Sequence, residues 1–230
     1  MIRAVAVFVL LVPGTGLAGT FVPPKGCTGF LTVQSRGCRV SNHYICSQDA
    51  PGDQWRADFD QDGVYFASRI DGEGQWAETL DLVRGTRQTL APAPRDPASF
   101  TELLGGMDTY DFALETDDGS ASKVRGFDRL TGKTVVIDGV TLSETAFEYT
   151  ETDLNSNLTR RSRGNEYISP TWRLFFSGPS EWDDGNGFVP VDVSPVQFVL
   201  PGENGFFSTE PLFGCDAVLS NYRPGVNDGN

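Results

Sequence analysis

Between Trp55 and Leu90 apolar and polar positions alternate along the chain with a period of two. Trp55, Ala57 and Phe59 alternate with Arg56, Asp58 and Asp60; after a turn, Val64, Phe66, Ser68 and Ile70 alternate with Tyr65, Ala67 and Arg69. This pattern predicts two half-buried strands. A two-residue Asp62-Gly63 turn places Phe59 opposite Phe66 and Trp55 opposite Ile70, and a four-residue loop from Asp60 to Gly63 keeps the same facing. The large apolar groups are therefore expected on one face. Asp71-Gly72-Glu73-Gly74 marks the next turn, Trp76 to Val83 a third strand and Thr86 to Leu90 a fourth, giving a meander with one apolar and one wet face.

One helix interrupts the pattern. In Asp96-Pro97-Ala98-Ser99-Phe100-Thr101-Glu102-Leu103-Leu104-Gly105, Asp96 suits the cap, Pro97 the first helical position and Gly105 the exit, which predicts a short helix over 97–104. Phe100, Leu103 and Leu104 then form a stripe able to cover an end or open side of a curved sheet. Strands are expected again at Tyr110 to Glu115, Lys123 to Leu130, Thr134 to Ile137, Thr141 to Thr152, Leu158 to Tyr167, Thr171 to Ser177, Val196 to Leu200 and Gly205 to Ser208, with turn residues between them. The fold class expected is mainly β, an antiparallel meander forming a curved half-barrel or a two-sheet sandwich.

The ends of the chain refine this picture. Arg3, the apolar run Ala4 to Val12, a Pro-Gly break and the small residues Gly16 and Ala18 form a secretory signal pattern, so residues 1–18 are set apart from a single domain over 19–230. No later stretch reaches the roughly 20 apolar residues of a membrane helix, and a soluble periplasmic or secreted protein of bacterial type is expected. Four cysteines in an exported chain predict two disulfides. Cys27, Cys38 and Cys46 lie close together in sequence, so full pairing makes Cys215 bond one of them; sequence leaves the choice open. A formal net charge of −13 argues against nucleic acid as a partner, because phosphate backbones are held by clustered Lys and Arg.

Candidate chemistry is sparse. Asp58-x-Asp60-x-Asp62-Gly63 opens like a calcium loop, but the twelfth position, where such a loop carries a bidentate Glu, is Arg69. An ordinary hairpin is the favoured reading, with Asp58, Asp60 and Asp62 the ligands if calcium binds; no other cofactor is indicated. Glu181 to Gly187 is a second acidic, glycine-rich loop of the same kind. His43, the only histidine, lies among Cys38, Ser41 and Cys46, and export favours disulfides over the thiolates zinc would need. Glu78 alternates with Trp76, Leu80 and Leu82, which puts a carboxylate on an apolar face where it needs an Arg partner, the rim or a ligand. Glu144, Glu148 and Glu151 are expected to face Arg160, Arg161 and Arg163 across a hairpin. Successive rings at Phe175-Phe176 and Phe206-Phe207 point to opposite sheet faces, so both faces need cover or a ligand.

These features lead to an exported, non-enzymatic binding or envelope-associated module that engages a hydrophobic ligand, a glycan or an envelope protein, with Trp55, Phe66, Trp76 and Glu78 the candidate ligand contacts. The alternative is an envelope-acting hydrolase using paired carboxylates, with Glu78 and Asp58 as its candidates.

Overall fold

A computed structural model describes residues 19–215, so the signal pattern at 1–18 and the final residues lie outside it. The strands are β1 (Cys27–Ser35), β2 (Arg39–Cys46), β3 (Gln54–Asp60), β4 (Gly63–Ile70), β5 (Trp76–Asp81) and β6 (Thr86–Leu90). After the helix α1 (Phe100–Leu104) come β7 (Met107–Thr116), β8 (Ala121–Ile137), β9 (Val140–Asp153), β10 (Thr159–Ser169), β11 (Leu174–Asp183), β12 (Val189–Asp192) and β13 (Pro195–Val199). All belong to one antiparallel sheet in which β1 to β12 follow chain order and β13 returns to pair with β1. The curved meander with one short helix is the architecture expected, and the strands form a single sheet rather than a two-sheet sandwich.

The two edges of this sheet are joined to each other. β12 and β13 are consecutive, with only Val193 and Ser194 between them, so the edges stay within roughly 10 Å at full chain extension. Because neighbours alternate in direction, β12 against β11 and β13 against β1 run the same way. The last stretch of extended chain thus leaves one edge and joins the other. Side chains pack across this seam: the rings of Phe176 on β11 and Phe198 on β13 meet edge to face at 5.2 Å.

One end of the curled sheet is plugged. Phe100 and Leu103 of α1 are fully buried and pack with Ile168, Leu130 and Phe175. β8 and β9 run past their neighbours, and an irregularity between Leu130 and Thr134 lets their tip turn toward β13, where the Asp138 carboxylate accepts the Phe198 N–H at 2.9 Å. Leu142, Val135 and Val140 there join Leu31, Val33, Phe176 and Phe198 in one apolar cluster.

The strands expected at Lys123 to Leu130 and Thr134 to Ile137 are one continuous strand, β8, the one expected from Thr171 begins at Leu174, and further details depart from the sequence pattern. The β3–β4 hairpin pairs Asp60 with Gly63 around Gln61 and Asp62, and a bulge between Asp58 and Phe59 puts Phe59 opposite Val64, Asp58 opposite Phe66 and Trp55 opposite Arg69. One extra residue in a ladder reverses every facing beyond it. The expected single apolar face is therefore split: Trp55 and Phe59 lie on one side of the sheet, Phe66 and Ile70 on the other. The outer rings are covered by Phe21 and Phe207, with Phe21 centred 5.5 Å from Phe59 and 5.3 Å from Phe207.

The helix starts later than its sequence suggests. Ser99 caps it, its Oγ accepting the Glu102 N–H at 3.2 Å, because Asp96 is held in a β-bridge to Asp111 and accepts the Thr109 hydroxyl. With Phe100 first in so short a helix, Leu104 turns off the buried face and is 43% exposed. Gly205 to Ser208 forms no strand: it turns, with Phe206 and Phe207 stacked on each other at 4.4 Å rather than on opposite faces. Phe207 presses so closely on β1 that a Cβ at Gly29 would lie 1.9 Å from its ring, which explains glycine there.

Candidate functional site

At the end away from the plug, the turns of the odd-to-even hairpins surround a cavity of about 1080 Å³. Its wall comes from the inward members of each alternating strand. Arg39 of β2 and Phe66 of β4 line it, and Ser41, His43, Arg56 and Asp58 share their inward face through the pairs His43–Arg56, Ser41–Asp58 and Asp58–Phe66. Six carboxylates line the cavity, at Asp60, Asp62, Asp81, Asp118, Glu151 and Asp153, against three guanidinium groups at Arg39, Arg84 and Arg160. Tyr65, Phe66 and Trp182 contribute rings. Glu151 is held in place by the Ser122 hydroxyl, which donates to it at 2.7 Å.

Deeper toward the plug lies a second group of acids. Asp108 stands directly opposite Asp128 across β7 and β8, and Glu166 joins them from β10. Burial first pushes the Asp128 and Glu166 carboxyls well above the usual carboxylate range, and repulsion from Asp108 adds to the rise at Asp128 as repulsion from Asp128 does at Glu166. Glu166 retains some exposure, but protein surrounds it. Asp108 is pushed up to about 6, by burial first; the Ser99 N–H, which donates to its Oδ2 at 2.9 Å, pulls the other way. Burial and the neighbouring acids also raise the Tyr110 phenol.

The folded state thus holds protons that the unfolded chain has released. Stability from these acids is fully present below the ordinary carboxylate range, near pH 4, and is lost as pH rises through about 6 and beyond. His43 acts oppositely: burial first, then Arg56, lowers it to about 3, so it subtracts stability as pH falls below its ordinary value of about 6.5. Comparing variants separates the two. The double variant Asp128→Asn/Glu166→Gln is expected to lose less melting temperature than the parent between about pH 5 and about pH 8. Parallel melting curves over that range would contradict the proton-holding acids.

The residues singled out from sequence do not converge. Phe66 lines the cavity, and Trp76 lies inside against Phe112 and Tyr149, at 5.7 and 5.6 Å. Trp55 and Glu78 lie on the outer side. Trp55 stacks with Tyr44 and has the Arg69 guanidinium 5.7 Å away. Glu78, rather than sitting bare on an apolar face, accepts from Arg87 Nε at 2.8 Å and pairs with Arg69 at 3.4 Å. Asp58 and Glu78 therefore occupy opposite faces and cannot act as one carboxylate pair.

Asp58, Asp60 and Asp62 also separate. Asp58 faces inward to Arg56 at 3.1 Å, while Asp60 Oδ1 accepts the Asp62 N–H at 2.8 Å. Among the described residues, no three His, Cys, Asp or Glu side chains gather as a metal's ligands. In the 181–187 loop, Asp183 accepts the N–H groups of Gly185 and Gly187, which with Arg161 hold its carboxyl low. The register sets Arg160 opposite Glu151 and Arg163 opposite Glu148, but the ion pairs run the other way, from Arg161 to Asp183 and Arg163 to Glu181. The disulfides are Cys27–Cys46 and Cys38–Cys215, so Cys215 does bond one of the three N-terminal cysteines.

The inner acids carry a signal that sequence offers and the earlier pattern passed over. Asp108 is in phase with Tyr110, Phe112 and Leu114, and Asp128 with Val124, so both belong to the inward face. Among the described residues no helix is long and apolar enough to cross a membrane. No known protein family, curated protein or solved structure matches this chain.

Proposed function

We propose that this is an exported binding protein whose cavity takes a polar, saccharide-sized ligand. The observation that carries this reading is the cavity itself: about 1080 Å³, open at one end, plugged at the other, and lined by carboxylates, guanidinium groups and three aromatic rings. Ligand sites of small molecules occupy roughly this size range, with a few polar groups fixing orientation. Rings offer faces to the C–H sides of a sugar while acids and amides accept its hydroxyls. A lipid carrier calls for an apolar channel instead. The two disulfides fit an oxidising compartment, and together with the N-terminal signal pattern they support a periplasmic or secreted location.

Titration with neutral oligosaccharides, amino-sugar oligomers and a fatty acid, followed by intrinsic fluorescence and melting temperature, tests the reading. A saturable response to a saccharide is expected, weakened about tenfold, or about 1.4 kcal/mol, in Trp182→Ala. Saturation by the fatty acid alone would overturn it. Asp128 and Glu166, two neighbouring acids with raised carboxyls, keep a second reading in view, a glycan hydrolase using that pair. Turnover of a saccharide in the same panel, abolished by Glu166→Gln, would favour the hydrolase.

A further inference from the structure

We propose that the inner wall beside the cavity holds an anion subsite, formed by Arg39, His43 and Arg56, which takes one singly charged anionic atom: a chloride ion or one oxygen of a ligand carboxylate. It rests on the binding reading only in taking the cavity as the route of entry.

Three observations converge on it. First, Arg39 lines both the large cavity and a narrow crevice that also contains His43 and Arg56, with space for about one water-sized sphere, a volume of about 10 Å³ for its centre. Second, the nitrogens there are poorly satisfied. His43 is 3% exposed and its Nδ1 has no hydrogen-bond partner, and Arg39 Nε is likewise buried without one. The Arg39 guanidinium makes one long bond, from Nη2 to the Val193 carbonyl at 3.3 Å, and no ion pair with any described residue. Third, the two guanidinium groups are unequally matched. Arg56 has the Asp58 carboxylate against its Nε and Glu166 near it, whereas Arg39 has no carboxylate within ion-pair distance among the described residues. A buried guanidinium nitrogen and a buried imidazole nitrogen without partners are costly, and an anion that accepts from these nitrogens removes that cost.

The single histidine makes the test direct. Its ring C–H resonances report on the crevice with no assignment by mutagenesis, and they are followed near neutral pH while sodium chloride or sodium formate is added at constant ionic strength. A saturating shift is expected. Saturation by formate as well as chloride assigns the subsite to a ligand carboxylate; saturation by chloride alone assigns it to a free halide. In Arg39→Gln half-saturation should need roughly tenfold more anion or worse, whereas Arg36→Gln, the same charge change on an exposed side chain, should leave it unaltered. Should Arg39→Gln fail to fold, Arg39→Lys keeps the charge without the planar fork and should also weaken binding. No saturating shift in the parent protein, or one of equal midpoint in the Arg39 variant, would overturn the subsite whatever the saccharide titrations show.

Discussion

Replacing Cys38 and Cys215 together by serine is expected to lower unfolding free energy by about 5 kcal/mol, against about 3 kcal/mol for Cys27 and Cys46, on the chain-entropy scale of loop closure. The first bridge closes a separation of 177 residues and the second one of 19, so the first restricts the unfolded chain far more. It also fixes the chain that follows β13 against the turn before β2. Cys38 is 3% exposed, its N–H donates to the Phe213 carbonyl at 2.8 Å, and Gly214 lies so close to Gly37 that a Cβ there would approach the Gly37 nitrogen to 2.9 Å. Urea unfolding under non-reducing conditions measures both losses. An equal or reversed order would show that the N-terminal bridge carries more of the fold than its loop length implies.

Phe100→Ala is the second large effect, with an expected loss of about 3 to 5 kcal/mol. The ring is fully buried, meets Phe175 edge to face at 5.3 Å and has the Arg173 guanidinium 4.8 Å above it. So short a helix has no stability of its own; packing holds it, and Glu73 holds its first turn by accepting from the Thr101 N–H at 2.8 Å. Truncation leaves a void at the closed end that the surrounding strands can fill only in part. Leu104→Ala, at the exposed side of the same helix, should fall within about 0.5 kcal/mol of the parent. A similar loss from both variants, measured by chemical unfolding, would mean that the helix itself rather than its buried ring is what matters.

How far the sequence reveals this molecule depends on the kind of feature. Alternation is a local signal, and it located the strands from Trp55 to Leu90 and the long central hairpins. It failed where one residue is inserted: nothing in Asp58-Phe59 or Tyr65-Phe66 announces the bulge that sends Trp55 and Phe66 to opposite sides. The helix shifted because Asp96 has a partner at Asp111, a contact between distant residues that a cap rule does not see. The candidate site shows the same division. Asp108 was readable from its phase with Tyr110 and Phe112. The meeting of Arg39, His43 and Arg56 beside the cavity depends on the register of β2 with β3 and on the curvature that brings β11 across from them, and neither is written in a local pattern.

The joined edges have a consequence for synthesis. β1 is among the first strands made, yet its second neighbour is the last, so one side of it stays unmatched until nearly the whole polypeptide has emerged. An unmatched strand rim is an invitation to wrong pairing with other chains, and contacts between distant residues form slowly. A chain built this way needs a holding factor, or quick shielding of that rim, until β13 arrives, and chains truncated before Pro195 should clump rather than mature.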